Sequence, residues 1–177
     1  VLNTNIRHTH SWERKMKNLL ILVVATFSMN SYAGGHYGLN YNTWDIEGTT
    51  VDGVGITLSG AGESILYDLD VFKLSTGGFS ATLNTLSLGY AFGDLAEGSV
   101  FGGIWSGGSN VEGTSRETDF MLGWAKRGGA GNQVKVGVVT DDGNTILAEV
   151  QMESGFEVGI LSNDGDTMFT VGYGWKF

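Results

Sequence analysis

The sequence predicts an all-β protein whose strands close into an antiparallel up-and-down barrel. Three observations predict it. Glycine accounts for 29 of 177 residues while proline is absent, and glycine disfavours helix interiors. Short turn-like segments recur along the chain, and apolar side chains between them alternate with a period of two, which is typical of strands with two different faces.

The first organised feature is an N-terminal targeting segment. Met16-Lys17-Asn18 precedes nine mostly apolar residues, 19–27, and small residues, Ser31 and Ala33, stand at positions −3 and −1 of a cut before Gly34. This pattern predicts a secretory signal peptide over residues 16–33, with a buried core helix as the alternative. The apolar run is shorter than the roughly 20 residues that a transmembrane helix needs. Residues 1–15 precede a complete signal and are interpreted as a non-native leader or misplaced start.

Residues 34–177 form the predicted barrel domain, and their charge excludes some functions. They carry 6 basic and 18 acidic side chains, a formal net charge of −12. Such a chain repels phosphate backbones, so we expect no nucleic-acid partner. The absence of cysteine excludes disulfides, thiolate metal sites, a cysteine nucleophile and a lipid-modified N-terminal cysteine.

Nine turn-like segments separate ten predicted strands; they are residues 45–48, 60–63, 75–78, 93–98, 106–117, 128–133, 141–144, 153–155 and 162–166. Strand four has two candidate starts, Phe79 and Thr82, with a change of phase near Asn84. The phase of strand five, around residues 100–106, is ambiguous, and strand nine is short. Eight strands are therefore the alternative count, and both counts are even, as a chain whose two termini lie on the same side of a membrane requires.

Apart from strand five, each predicted strand has one apolar face. In chain order, its members are Tyr37, Leu39 and Tyr41; Val54, Ile56 and Leu58; Ile65, Tyr67, Leu69 and Val71; Leu86, Leu88, Tyr90 and Phe92; Phe120, Leu122 and Trp124; Val134, Val136 and Val138; Ile146, Ala148, Val150 and Met152; Phe156, Val158 and Ile160; Phe169, Val171, Tyr173, Trp175 and Phe177. The opposite face is mostly glycine and polar residues. That combination favours a membrane barrel with a packed polar interior.

Seven ionisable residues fall on the predicted inward face. We expect them to be paired inside the barrel rather than catalytic, with Lys135, Glu149, Glu157 and Lys176 forming a ladder on successive strands. The predicted interior charges are Asp68, Asp70, Asp119, Lys135, Glu149, Glu157 and Lys176.

The last strand carries a pattern of its own. The chain ends on an aromatic residue, and apolar residues occupy every second position before it: Phe169, Val171, Tyr173, Trp175 and Phe177. This resembles the C-terminal assembly signal of Gram-negative outer-membrane β-barrels, and the whole chain resembles the small OmpX-like and OmpA-type barrels. The resemblance implies outer-membrane localisation after signal cleavage near Ala33. It also implies that periplasmic chaperones and the barrel-assembly machinery handle the chain, and that the folded monomer contacts lipid and lipopolysaccharide.

Aromatic residues are expected at the two membrane interfaces. With a periplasmic N-terminus, Tyr37, Phe92, Trp124 and Phe177 would lie at the periplasmic rim. Trp44 and Trp105 would lie near the outer rim.

No catalytic, cofactor-binding or metal-binding residues are predicted. His36 is the single histidine after residue 33, and no pattern similar to lipid-modifying barrel enzymes accompanies it. The Asp-Gly pairs at 142–143 and 164–165 are interpreted as hairpin turns, because no complete calcium loop follows either. The sequence thus predicts a structural or surface-interaction barrel with short acidic outer loops. A narrow pore is the alternative, and a lipid-modifying enzyme is the third and least favoured interpretation.

Overall fold

The computed structural model describes residues 34–46, 48–111, 115–128 and 132–177. The predicted leader and signal peptide, residues 1–15 and 16–33, lie outside them. The described residues form ten strands: β1 (Gly34–Ile46), β2 (Thr49–Ala61), β3 (Ile65–Thr76), β4 (Phe79–Ala91), β5 (Ser99–Ser109), β6 (Glu117–Arg127), β7 (Gln133–Val139), β8 (Ile146–Gln151), β9 (Phe156–Asn163) and β10 (Asp166–Lys176).

The ten strands make one closed antiparallel sheet. Each strand pairs with its neighbours in sequence, and β1 also pairs with β10. The closing register runs without interruption from His36 opposite Lys176 to Asp45 opposite Thr167. The predicted closed up-and-down β-barrel is therefore confirmed, with ten strands rather than eight. In the described part of the chain, no helix is long and apolar enough to cross a membrane.

Short connections join the strands at both ends of the barrel. We call the end that holds Gly34 and Phe177 the terminal end and the opposite one the far end. The β9–β10 connection is a two-residue turn in which Asp164 and Gly165 have φ angles of 43° and 100°. This is the backbone that an Asp-Gly hairpin turn requires. The β5–β6 connection at the far end covers residues 110–116, the same length as the β4–β5 connection, residues 92–98, at the terminal end.

The two faces of the sheet differ as the period-two alternation predicts. Large apolar side chains point outward from all ten strands and are well exposed, from 37% for Ile160 to 75% for Phe120. Polar residues such as Asn40, Asn42 and Thr57 point inward and are buried. β4 begins at Phe79 and keeps its register with β3 through Asn84, with no change of phase.

The structure settles which residues of β5 point outward, a question that the sequence leaves open. Val100 and Ile104 point outward, whereas Phe101 is fully buried inside the barrel. Glycines on the neighbouring strands make room for its ring. A Cβ built at Gly123 would lie 2.7 Å from Phe101 Cζ, and one at Gly89 would lie 3.0 Å from Phe101 Cδ2. Interior glycine therefore compensates for a large aromatic side chain in a narrow barrel.

Trp44 and Trp105 both point into the barrel near the far end. Trp44 lies opposite Met168 and Trp105 lies opposite Asp119; each packs against a buried apolar cluster. Their position near one end of the barrel agrees with the expectation that they lie near a rim, but strand parity turns both indoles inward and away from the membrane interface.

Apolar clusters occupy the interior on either side of a charged layer. We call the cluster that contains Leu66 and Phe101 the first cluster and the one that contains Phe72 and Leu74 the second. Along β3, Asp68 and Asp70 lie between Leu66 and Phe72. The interior is thus packed through much of its length rather than open from end to end.

Candidate functional site: a charged bridge across the barrel

The most unusual interior feature is a buried lysine held by two carboxylates. Lys135 Nζ contacts Asp68 Oδ2, and it lies 2.8 Å from Glu149 Oε2. The three side chains are only 5%, 10% and 18% exposed, respectively. An ammonium group so thoroughly removed from water requires such partners, because an unpaired buried charge costs several kcal/mol.

The strands that supply these residues make the contact a bridge across the interior. Glu149 is the direct neighbour of Lys135, since β7 and β8 pair these two residues. Asp68 comes from β3, four strands away around a ten-stranded barrel. Lys135 therefore links two neighbouring strands to the opposite side of the sheet.

Two hydroxyl groups donate hydrogen bonds to carboxylates of this region. Ser87 Oγ donates to Asp68 Oδ2 at 2.5 Å, and Thr85 Oγ1 donates to Asp70 Oδ2 at 3.2 Å. Asp68 Oδ1 and Glu149 Oε1 are buried and have no hydrogen-bond partner among the described residues. The protein itself therefore satisfies only part of the hydrogen-bonding capacity of these carboxylates. The loss of any further partner should lower the stability of the barrel.

A cavity of about 90 Å³ adjoins the bridge. Its ionisable lining residues, called the central cluster below, are Asp68, Asp70, Lys135, Glu149 and Glu157. One ammonium group faces four carboxyl groups. A space of this volume holds a few water molecules, which are the natural partners for the remaining oxygens.

The structure separates the other two predicted interior charges from this cluster. Asp119 points inward on β6 opposite Trp105, and its Oδ2 is buried without a hydrogen-bond partner in the described residues. Lys176 lies opposite His36 at the terminal end, where it is exposed. Of the ladder expected on four successive strands, the structure forms the Lys135–Glu149 pair. Glu157 lines the same cavity, and the second carboxylate that contacts Lys135 is Asp68 of β3.

The terminal end has a small polar cavity of about 70 Å³ around His36. His36 is 4% exposed, and its Nε2 has no hydrogen-bond partner among the described residues. Arg127, Gln133, Gln151 and Lys176 also line the cavity. No aspartate or glutamate side chain is part of its described lining, so it lacks the carboxylate that orients histidine in a hydrolytic triad. Among the described residues, no three histidine, cysteine, aspartate or glutamate side chains are arranged so that they could hold a metal ion.

The alternating residues of the last strand lie on the outside. Phe169, Val171, Tyr173, Trp175 and Phe177 are about half exposed. Tyr37 of β1 stacks on Trp175 at 5.7 Å and on Phe177 at 6.4 Å between ring centroids, and Tyr173 meets Trp175 edge-on at 5.7 Å. An aromatic cluster thus covers the β1–β10 seam at the terminal end.

Comparisons with known proteins add little to this description. No protein-family model matches the chain, and no curated protein matches it. Among solved structures, the chain is similar to the N-terminal β-barrel domain of Pseudomonas aeruginosa OprF. The sequence identity is 12% and the TM-score is 0.35, and the match covers 82% of this chain and 98% of that domain. The strand pairing of the chain itself establishes the barrel.

The bridge predicts an asymmetric response to substitution. Lys135→Met should lower the free energy of unfolding by about 3–5 kcal/mol, because it leaves two buried carboxylates without a counter-charge. Glu149→Gln should cost less, since Asp68 still faces Lys135. The coupling free energy between Lys135 and Glu149 in a double-mutant cycle should be on the order of 1 kcal/mol or more. Urea unfolding of the refolded protein in detergent measures all of these values.

A matched control is Lys126→Met, which removes the same charge from an exposed position on β6. We expect it to change stability by less than about 0.5 kcal/mol. Equal effects of Lys126→Met and Lys135→Met, or additive effects of Lys135→Met and Glu149→Gln, would show that Lys135 is not energetically coupled to its carboxylates, which contradicts the bridge.

Proposed function

We propose that this protein is a small, monomeric integral barrel of the Gram-negative outer membrane, with a structural or surface-interaction role and no enzymatic activity. The observation that carries the proposal is the continuous outward apolar surface. Every one of the ten strands contributes exposed large apolar side chains to it. A water-soluble protein rarely exposes a contiguous apolar patch of this extent.

The closed sheet makes such a surface compatible with hydrocarbon. Strand pairing continues around the whole barrel, including the β1–β10 seam, so no sheet edge leaves unpaired backbone groups in lipid. The aromatic cluster of Tyr37, Trp175 and Phe177 is typical of residues at a membrane interface. Both features support a membrane location over a soluble one.

Two segments of the sequence, residues 16–33 and the alternating apolar residues of 169–177, support a proposal about targeting and assembly. We propose export with cleavage near Ala33, delivery by periplasmic chaperones, and insertion by the barrel-assembly machinery. The machinery would read the alternating residues that end on Phe177. Lipid and lipopolysaccharide would then contact the outward face.

The interior and the connections support a structural role. The central cluster and Phe101 occupy the inside of the barrel. The only described histidine, His36, lies in a cavity with no described aspartate or glutamate side chain. The far-end connections are short, so a partner would meet the rim of the barrel rather than long projecting loops.

Cell fractionation and gel mobility test the location. The protein should be recovered with the outer membrane, and it should migrate faster unheated than boiled, because closed barrels resist detergent unfolding. The substitution Phe177→Ser should reduce insertion without blocking export, whereas Thr167→Ser, at the other end of the same strand, should leave insertion unchanged. Recovery in the soluble periplasm with identical mobility in both states would contradict the proposal.

A narrow pore is the second candidate, because a cavity of about 520 Å³ opens at the far end and shares lining residues with the charged cavity. Below it, the Lys135 bridge and the apolar cluster around Phe101 fill the interior. We therefore expect no steady single-channel conductance when the purified protein is placed in a planar bilayer. Reproducible ohmic conductance, reduced by Thr85→Trp within the charged cavity, would establish the pore instead.

A further inference from the structure

The far end of the barrel contains a large cavity that no part of the proposed structural role requires. Its volume is about 520 Å³, which lies within the usual range for small-molecule sites, and barrel mouths are common places for such sites. From its lining we infer that it binds a small organic cation with an aromatic or aliphatic body.

The deeper part of this far cavity is apolar and aromatic. Trp44, Phe72 and Trp105 line it together with Leu161 and Met168. Both indoles point inward and are only partly buried, so part of each indole remains available to a ligand. Aromatic faces attract ammonium groups as well as apolar surfaces, with indole the strongest of them.

Carboxylates surround the mouth of the cavity. Glu117, Asp141, Asp164 and Asp166 are part of its lining, and no lysine, arginine or histidine is part of it in the described ranges. Arg116 lies between the lining residues Ser115 and Glu117 in the sequence, and its guanidinium is engaged in hydrogen bonds to Ser106 O at 3.2 Å, to Ser106 Oγ at 2.9 Å and to Asn84 Oδ1. The charge of the lining therefore favours a positively charged ligand and disfavours an anion.

One side of the mouth is held in place by its own hydrogen bonds. Asp141 accepts from the backbone N–H of Thr145 at 2.8 Å, from Thr145 Oγ1, and from Asn163 Nδ2 at 3.2 Å. Asn163 Nδ2 also donates to Thr145 Oγ1 at 2.8 Å. These contacts tie the β7–β8 connection to the end of β9. A site that is already formed requires less ordering when a ligand enters.

The different roles of the lining residues indicate what kind of ligand the far cavity would bind. Asp141 is committed to the hydrogen bonds of the wall, whereas Glu117 is exposed at the start of β6 and Asp164 is exposed in the β9–β10 turn. A cationic head would meet these carboxylates and the indole faces, and its apolar body would contact Phe72, Leu161 and Met168. A single-ring ammonium compound fits both parts of the lining.

Titration of the purified barrel with benzyltrimethylammonium tests the inference, with binding followed by calorimetry in an uncharged maltoside detergent. Saturable binding is expected, at least fivefold tighter than binding of uncharged benzyl alcohol, and weakened as salt rises because the attraction is partly ionic. The double variant Glu117→Gln/Asp164→Asn should weaken the affinity at least fivefold. Both positions are exposed, so the barrel should still fold.

The matched control is Glu63→Gln/Glu153→Gln, which removes the same two charges from exposed connections at the terminal end. It should leave the affinity unchanged. A lack of saturable binding, or an equal loss of affinity in both double variants, would overturn the inference, because the first result denies a site and the second reduces it to overall charge.

Discussion

The pairing of β1 with β10 is the constraint on which the rest of the structure depends. Ten residues of β1, from His36 to Asp45, face ten residues of β10 in continuous register. This seam turns a sheet with two open edges into a barrel with none. Only after closure can the outward face consist of exposed apolar side chains while both edges of the sheet are paired, which is the condition for stability in hydrocarbon.

Closure also limits the volume that the interior side chains can occupy. Large side chains from all ten strands would overfill the enclosed space, and the packing around Phe101 shows how glycine on neighbouring strands prevents this. Its ring lies where Gly89 and Gly123 present no Cβ. The charged layer solves a related problem, because Lys135 connects Glu149 on the neighbouring strand to Asp68 on the opposite side. Salt bridges of this kind give little net stability but strongly penalise arrangements that separate the partners.

The sequence predicts the local features of this structure well, for a physical reason. Side-chain direction in a strand depends only on parity, so residues such as Leu122 and Gly123 can be assigned to opposite faces without knowledge of the fold. β5 was ambiguous because Gly102, Gly103, Gly107 and Gly108 carry no side chain to reveal the phase. Once the register of β4 with β5 is known, Trp105 must point inward opposite Ser87.

The cross-barrel contacts could not be predicted in the same way. Glu149 was expected beside Lys135 because the two occur on consecutive hairpin strands, whereas Asp68 is 67 residues away in sequence. Its approach depends on the number of strands and on closure, which determine the strands that lie opposite each other. The far cavity depends on the same facts, since Trp44 and Trp105 come together only when β1 and β5 curve into one barrel.

The central proposal is that strand parity separates a face that contacts lipid from a packed interior. Because the chain has no native cysteine, spin labels can be attached to single-cysteine variants after reconstitution into bilayers. Labels at Val136→Cys, Ala148→Cys and Val158→Cys should collide with dissolved oxygen far more than with a water-soluble nickel chelate, whereas labels at Thr57→Cys and Thr170→Cys should show no such preference for oxygen. Labels at the first three positions that collide mainly with the nickel chelate would contradict the account.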